Sequence, residues 1–83
     1  MLIGPADVRR LMDADDPDAT LAIYQGRAEV ISARDLAAGR YPGALSVTSR
    51  RDVLEILGRQ VTSERDIEQL AANLDVVASD LGG

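Results

Sequence analysis

Apolar residues along the chain repeat with two different periods. Val8, Leu11 and Met12 fall at i, i+3 and i+4, which is one stripe of a helix. Pro5 after Gly4 suits a first helical position, so a helix is expected from about Pro5 to Asp13. From Thr20 to Ile31 the pattern alternates instead, around Gln25-Gly26, where glycine supplies a positive φ for a two-residue hairpin turn. That turn pairs Tyr24 with Arg27, Ile23 with Ala28, Ala22 with Glu29 and Leu21 with Val30. One face then carries Leu21, Ile23, Ala28 and Val30; the other carries Thr20, Ala22, Tyr24, Arg27, Glu29 and Ile31. The register predicts Ile23 and Val30 buried, with Tyr24 and Glu29 largely exposed.

Further on, Ala33 to Ala38 reads as a short helix closed by Gly39, and Pro42-Gly43 as a type II turn. Ala44 to Thr48 is a third strand with Leu45 and Val47 on one face. Arg50 to Leu57 is a helix that buries Val53, Leu54 and Leu57 or Ile56, and stops at Gly58. The last helix, Glu64 to about Leu81, spaces Ile67, Leu70, Leu74, Val77 and Leu81 by three and four residues in turn, a heptad pattern. Three helix starts share one signal, a Ser followed three residues later by an Asp: Ser32/Asp35, Ser49/Asp52 and Ser63/Asp66. The expected fold is a single α+β domain over residues 1–83. Its order is helix, β-hairpin, short helix, strand, helix, helix, with the helices packed on one face of a small, three-stranded, mostly antiparallel sheet.

Composition narrows the chemistry. The chain has 83 residues, which suits one domain of modest stability. Phe and Trp are absent, so the core must be aliphatic. With no Cys, disulfides and thiolate chemistry are excluded, and a cytoplasmic location is expected because small secreted domains usually rely on such staples. With no His, the usual proton shuttle and the commonest transition-metal ligand are missing. All nine basic residues are Arg, which excludes lysine Schiff bases and Walker-type phosphate binding. The net charge of −5 disfavours duplex nucleic acid. No stretch reaches the roughly 20 apolar residues of a membrane span, and Met1-Leu2-Ile3-Gly4-Pro5 lacks the features of a signal peptide. No cofactor is expected, and the chain is not expected to be an enzyme on its own.

Four features remain as candidates. The acidic loop Asp13–Asp18 offers carboxylates, but its spacing departs from the calcium-binding loop of an EF-hand. Arg9-Arg10 and Arg50-Arg51 lie in helices, and Arg27 and Arg40 near turns, where guanidinium forks suit carboxylate or phosphate. The heptad seam is either core or a contact with another chain, and two heptads do not decide between them. Gly82-Gly83 resembles the diglycine end of ubiquitin-like sulfur carriers, which implies attachment chemistry completed by another protein.

Two longer stretches carry resemblances. Leu36 to Leu45, through Gly39-Arg40-Tyr41-Pro42-Gly43-Ala44, resembles the Gly-His-Ile-Pro-Gly-Ala turn of rhodanese-like domains. Arg40 stands where that turn has His, and the nucleophilic Cys is absent, so the resemblance does not imply sulfurtransferase activity. The order helix, hairpin, short helix over residues 5–38 resembles small antitoxins of the Phd/YefM type, with Tyr24 to Val30 matching the hairpin.

These readings converge on a protein-binding adaptor or regulator, of antitoxin, immunity or inhibitor character, that forms a homodimer. From Asp66 onward the chain carries Asp66, Glu68, Asp75 and Asp80 and no basic residue. The expected contact residues are Leu70, Leu74, Asp75, Val77, Asp80 and Leu81, facing a basic or hydrophobic protein surface. Asp75 and Asp80 are expected to lie off the seam, where substitution costs little stability. The alternative is a small-ligand or enzyme-associated module, including a sulfur carrier, whose site a second chain completes.

Overall fold

The hairpin at the centre of the chain forms in the register that its turn dictates. In a computed structural model, which describes residues 2–57 and 63–82, β1 (Thr20–Tyr24) and β2 (Arg27–Ile31) are antiparallel. Tyr24 pairs with Arg27, Ile23 with Ala28, Ala22 with Glu29 and Leu21 with Val30. Both turn residues are left-handed, Gln25 at φ 52° and Gly26 at φ 78°, as a type I′ turn requires.

Helix α1 (Pro5–Met12) precedes the hairpin, and Gly4 N–H donates to Asp7 Oδ2 at 2.9 Å across its first turn. Helix α2 (Ala33–Ala37) follows β2. It ends in a Schellman motif at Gly39, φ 73°, where the Gly39 N–H donates to the Leu36 carbonyl and the Arg40 N–H to the Asp35 carbonyl, each at 3.2 Å. The Ala44 N–H donates to the Tyr41 carbonyl at 3.2 Å and Gly43 has φ 81°, which together make the expected type II turn. Then come β3 (Leu45–Ser49), α3 (Arg50–Leu57) and α4 (Glu64–Gly82). The three Ser caps all form: Ser32, Ser49 and Ser63 Oγ accept from Asp35, Asp52 and Asp66 N–H at 3.1, 3.1 and 3.2 Å. Gly58, where α3 was expected to stop, lies outside the described residues.

The sheet order is β2-β1-β3, with both outer strands antiparallel to β1. β2 and β3 therefore run parallel to each other, and α2 with residues 38–44 carries the chain from one sheet edge to the other. The helices pack against the sheet around an aliphatic core. Ile3, Val8, Leu11, Ala19, Leu21, Ile23 and Val53 meet Ile67, Leu70, Ala71, Leu74 and Ala78 of α4. Among the described residues no polar or charged side chain is buried.

Four expectations of exposure need correction. On the hairpin's second face, Tyr24 and Glu29 are half-buried, and Ala22 and Ile31 are buried at 0% and 1%. That face is not bare, since Tyr41 from the crossing segment sets its ring edge-on to Tyr24 at 5.1 Å. On the core face, Val30 is only partly buried. In β3 a register shift between Leu21 and Ala22 leaves Val47 opposite no partner, while Leu45 pairs with Ile23 at the far end of the strand. Val47 packs on the core while Leu45 is exposed. In α3, Val53 is buried and Leu57 partly so, but Leu54 and Ile56 are exposed, because a helix of two turns rests on the core through one i, i+4 edge.

The Gln25 backbone sits in a conformation that Asn or Gly adopts at lower cost. Replacing Gln25 with Asn is expected to raise stability by about 0.5–1 kcal/mol, read from the urea midpoint at unchanged m-value.

Candidate functional site

Helix α4 was read from its spacing as the contact element, and its two halves have different fates. Ile67, Leu70 and Leu74 are 8%, 6% and 7% exposed, within the core. Ala71 and Ala78 join them, buried at 2% and 0%. The buried line is thus 67, 70–71, 74, 78, which advances at the period of a straight helix rather than at the heptad's 3.5. Val77 falls to one side of that line, at 44% exposure beside Val76 at 61%, and Leu81, which continues the line past Ala78, is 47% exposed. The spacing expectation therefore divides. Leu70 and Leu74 hold the domain together, while Val77, Leu81 and exposed Asp80 form an open end. Val76 joins that end; the heptad reading passed over it because it sits outside the a/d positions.

Asp75 is a fastener. Its Oδ1 accepts from the Leu2 N–H at 2.5 Å and the Ile3 N–H at 3.0 Å, and Ile3 is fully buried. The expectation that Asp75 tolerates substitution at little cost is corrected by these bonds. They hold its carboxyl below the ordinary aspartate value, the Ile3 amide contributing most. At the other end of α4, Glu64 pairs with Arg9 of α1. α1 and α4 therefore lie antiparallel, tied at both ends.

The acidic loop has a similar role. Asp16 Oδ1 accepts from Asp18 N–H at 2.9 Å and Oδ2 from Ala33 N–H at 2.7 Å, which lowers its pKa, Ala33 being the larger cause. Asp18 pairs with Arg51 of α3 at 2.8 Å. Among the described residues no three acidic groups converge as metal ligands. Arg10 pairs with Asp7 and Arg40 with Asp35, while Arg50 Nε donates to the Met12 carbonyl at 3.1 Å. These guanidinium groups are thus occupied within the fold.

A groove of ≈ 270 Å³ runs between α3 and α4, lined by Ile56, Leu57, Asp66, Gln69, Leu70 and Asn73. Gln69 Nε2 donates to Asn73 Oδ1 at 3.3 Å along its α4 side. Gly82 is the last residue of α4, and Gly83 of the diglycine lies outside the described residues. Among the described residues no helix is long and apolar enough to cross a membrane.

No protein-family model, no curated protein and no solved structure matches this chain. The likenesses to sulfur carriers, rhodanese-like domains and antitoxins rest on the residues quoted for them alone.

Leu74→Ala is expected to cost about 2–5 kcal/mol, as a cavity does, whereas Val77→Ser is expected to stay within about 0.5 kcal/mol; chemical denaturation of both variants measures the contrast. Asp75 supplies a pH test as well. A carboxyl whose folded pKa is lowered contributes stability that is present above the ordinary value of 3.8 and is lost as pH falls through the folded value. Asp75→Asn keeps an acceptor oxygen but loses the charge. The stability difference between wild type and Asp75→Asn is therefore expected to be largest above about pH 5 and to shrink below 3.8, read by urea titrations at several pH values.

Proposed function

We propose that this chain is a non-catalytic adaptor or regulator that binds another protein through the open end of α4. The observation that carries the reading is the exposure of Val76, Val77 and Leu81 together on the last turns of a helix whose preceding large apolar residues, Ile67, Leu70 and Leu74, are in the core. Isolated exposed apolar residues are ordinary, but three gathered at one helix end, with Asp80 among them, have the make-up of a contact patch with a charged rim. The acidic residues from Asp66 onward, with no arginine among them, favour a basic partner and speed its approach. The absence of His, Cys and Lys leaves few groups for chemistry of the chain's own. A cytoplasmic location fits a small domain that folds without disulfides.

A photoreactive side chain placed at Val77 or Leu81 in the producing cell is expected to cross-link to one protein species. The same side chain at exposed Arg34 or Ala37 is not. The captured protein, once purified, is expected to bind about tenfold more weakly to the Asp80→Lys variant at low salt, with the difference narrowing as salt rises. Equal capture at all four positions, or a partner indifferent to Asp80→Lys, refutes the reading.

A further inference from the structure

We propose that the groove between α3 and α4 is the seat of an amphipathic helix with basic residues at both ends, supplied by a different protein; the proposal deepens the protein-binding reading and rests on it. Asp66, Gln69, Asn73, Val77 and Asp80 follow one another three or four residues apart, so they share one face of α4. Asp66, Gln69 and Asn73 form the α4 wall of the groove, and Ile56 and Leu57 form the α3 wall. Ile56 is 63% exposed, the most open large apolar side chain among the described residues. The face is therefore a line with an acid at each end, apolar contacts along one side, and an amide pair at its centre. Its length from Asp66 to Asp80 is about 21 Å at 1.5 Å per residue, or four turns of a partner helix.

The geometry selects among occupants. At ≈ 270 Å³ the groove is smaller than the roughly 300–1,000 Å³ of small-molecule sites, but it suits one or two apolar side chains from a helix lying lengthwise. A second copy of this chain is opposed by charge. An antiparallel contact of α4 with α4 centred on Asn73 sets Asp66 against Asp80 twice, and a parallel contact sets each acid against itself. Nucleic acid is opposed by the same carboxylates. A helix with Lys or Arg about four turns apart pairs with both acids, and apolar residues between them meet Ile56, Leu57 and Val77. The Gln69–Asn73 bond uses one donor of Gln69 and the carbonyl of Asn73, so further amide groups remain for a polar residue of the partner, which would fix its register.

The probe is a synthetic 18-residue helix with a leucine stripe and two arginines at each end, titrated into the ¹⁵N-labelled full chain. A scrambled peptide of the same composition is the control. Amide shifts are expected on both walls, at Ile56 and Leu57 as well as Gln69, Asn73 and Val77, with the scrambled peptide at least tenfold weaker. Ile56→Asp, and separately the pair Asp66→Lys and Asp80→Lys, are each expected to weaken binding at least tenfold. The pair Asp13→Lys and Asp15→Lys, in the acidic loop, is expected to change it less than twofold. The dispersed spectrum of each variant reports folding independently of binding. Shifts confined to residues 76–81 overturn the groove proposal but leave the open end of α4 as the contact site. Shifts that follow every carboxylate, loop acids included, or equal binding of the scrambled peptide, reduce the interaction to net charge and overturn it. No binding at high micromolar peptide overturns the groove proposal outright, while the cross-linking result stands or falls separately.

Discussion

Seating α4 across the sheet is the contact on which the domain depends. The core contains no aromatic ring, so its volume comes from many modest aliphatic side chains, and α4 supplies five of them in one line. Small residues at two of those positions, Ala71 and Ala78, let the helix approach closely where a larger side chain would hold it away. The antiparallel pairing with α1, fastened by Asp75 at one end and by the Arg9–Glu64 pair at the other, fixes the helix along its axis. Burial supplies the energy and the polar ties supply the alignment. The exposed Arg9–Glu64 pair contributes little energy by itself.

What was legible in the sequence was mostly local. The turn at Gln25-Gly26 determined the register of β1 and β2 because a two-residue turn leaves no choice of pairing. Ser caps, Gly39 and Pro42-Gly43 likewise act within a few residues, and each occupies the position its type demands. The failures all involve long-range geometry. Strand alternation could not show that the segment after α2 returns over the second face, with Tyr41 against Tyr24. It could not show the extra residue at Val47 either, since a bulge depends on the partner strand. In the candidate site, a heptad count treated five residues as one seam. The helix divides them because it is straight and the sheet beneath it has an end. Asp75 looked like a surface acid because its two partners are backbone amides more than seventy residues away in the sequence.

Several of the acidic residues are structural. Asp7, Asp16, Asp18, Asp35, Glu64 and Asp75 are engaged with amides or guanidinium groups and act as joints between elements. Asp66 and Asp80 make no such side-chain bond among the described residues, and both sit on the face of α4 that borders the groove and the exposed valines. What sets Asp66 and Asp80 apart from other unengaged surface acids, such as Asp13 and Asp15, is their place together on one face of α4.

The order of strands has a consequence for how the chain reaches this state. β1 is the middle strand, yet its two neighbours come from different distances in the sequence. β2 follows after a two-residue turn, while β3 arrives only after the crossing segment of residues 32–44. A hairpin closes in microseconds, whereas a longer loop closes later and at greater entropic cost. During synthesis, β1 therefore spends an interval with one side paired and the other offering free amides and carbonyls to any passing strand. Leu21, Ala22 and Ile23, which end up among the most protected residues, are at that moment an open template. The rate at which β3 joins then governs the partition between folding and aggregation, and Pro42-Gly43, by bending the incoming chain into β3, becomes a determinant of yield rather than of final stability.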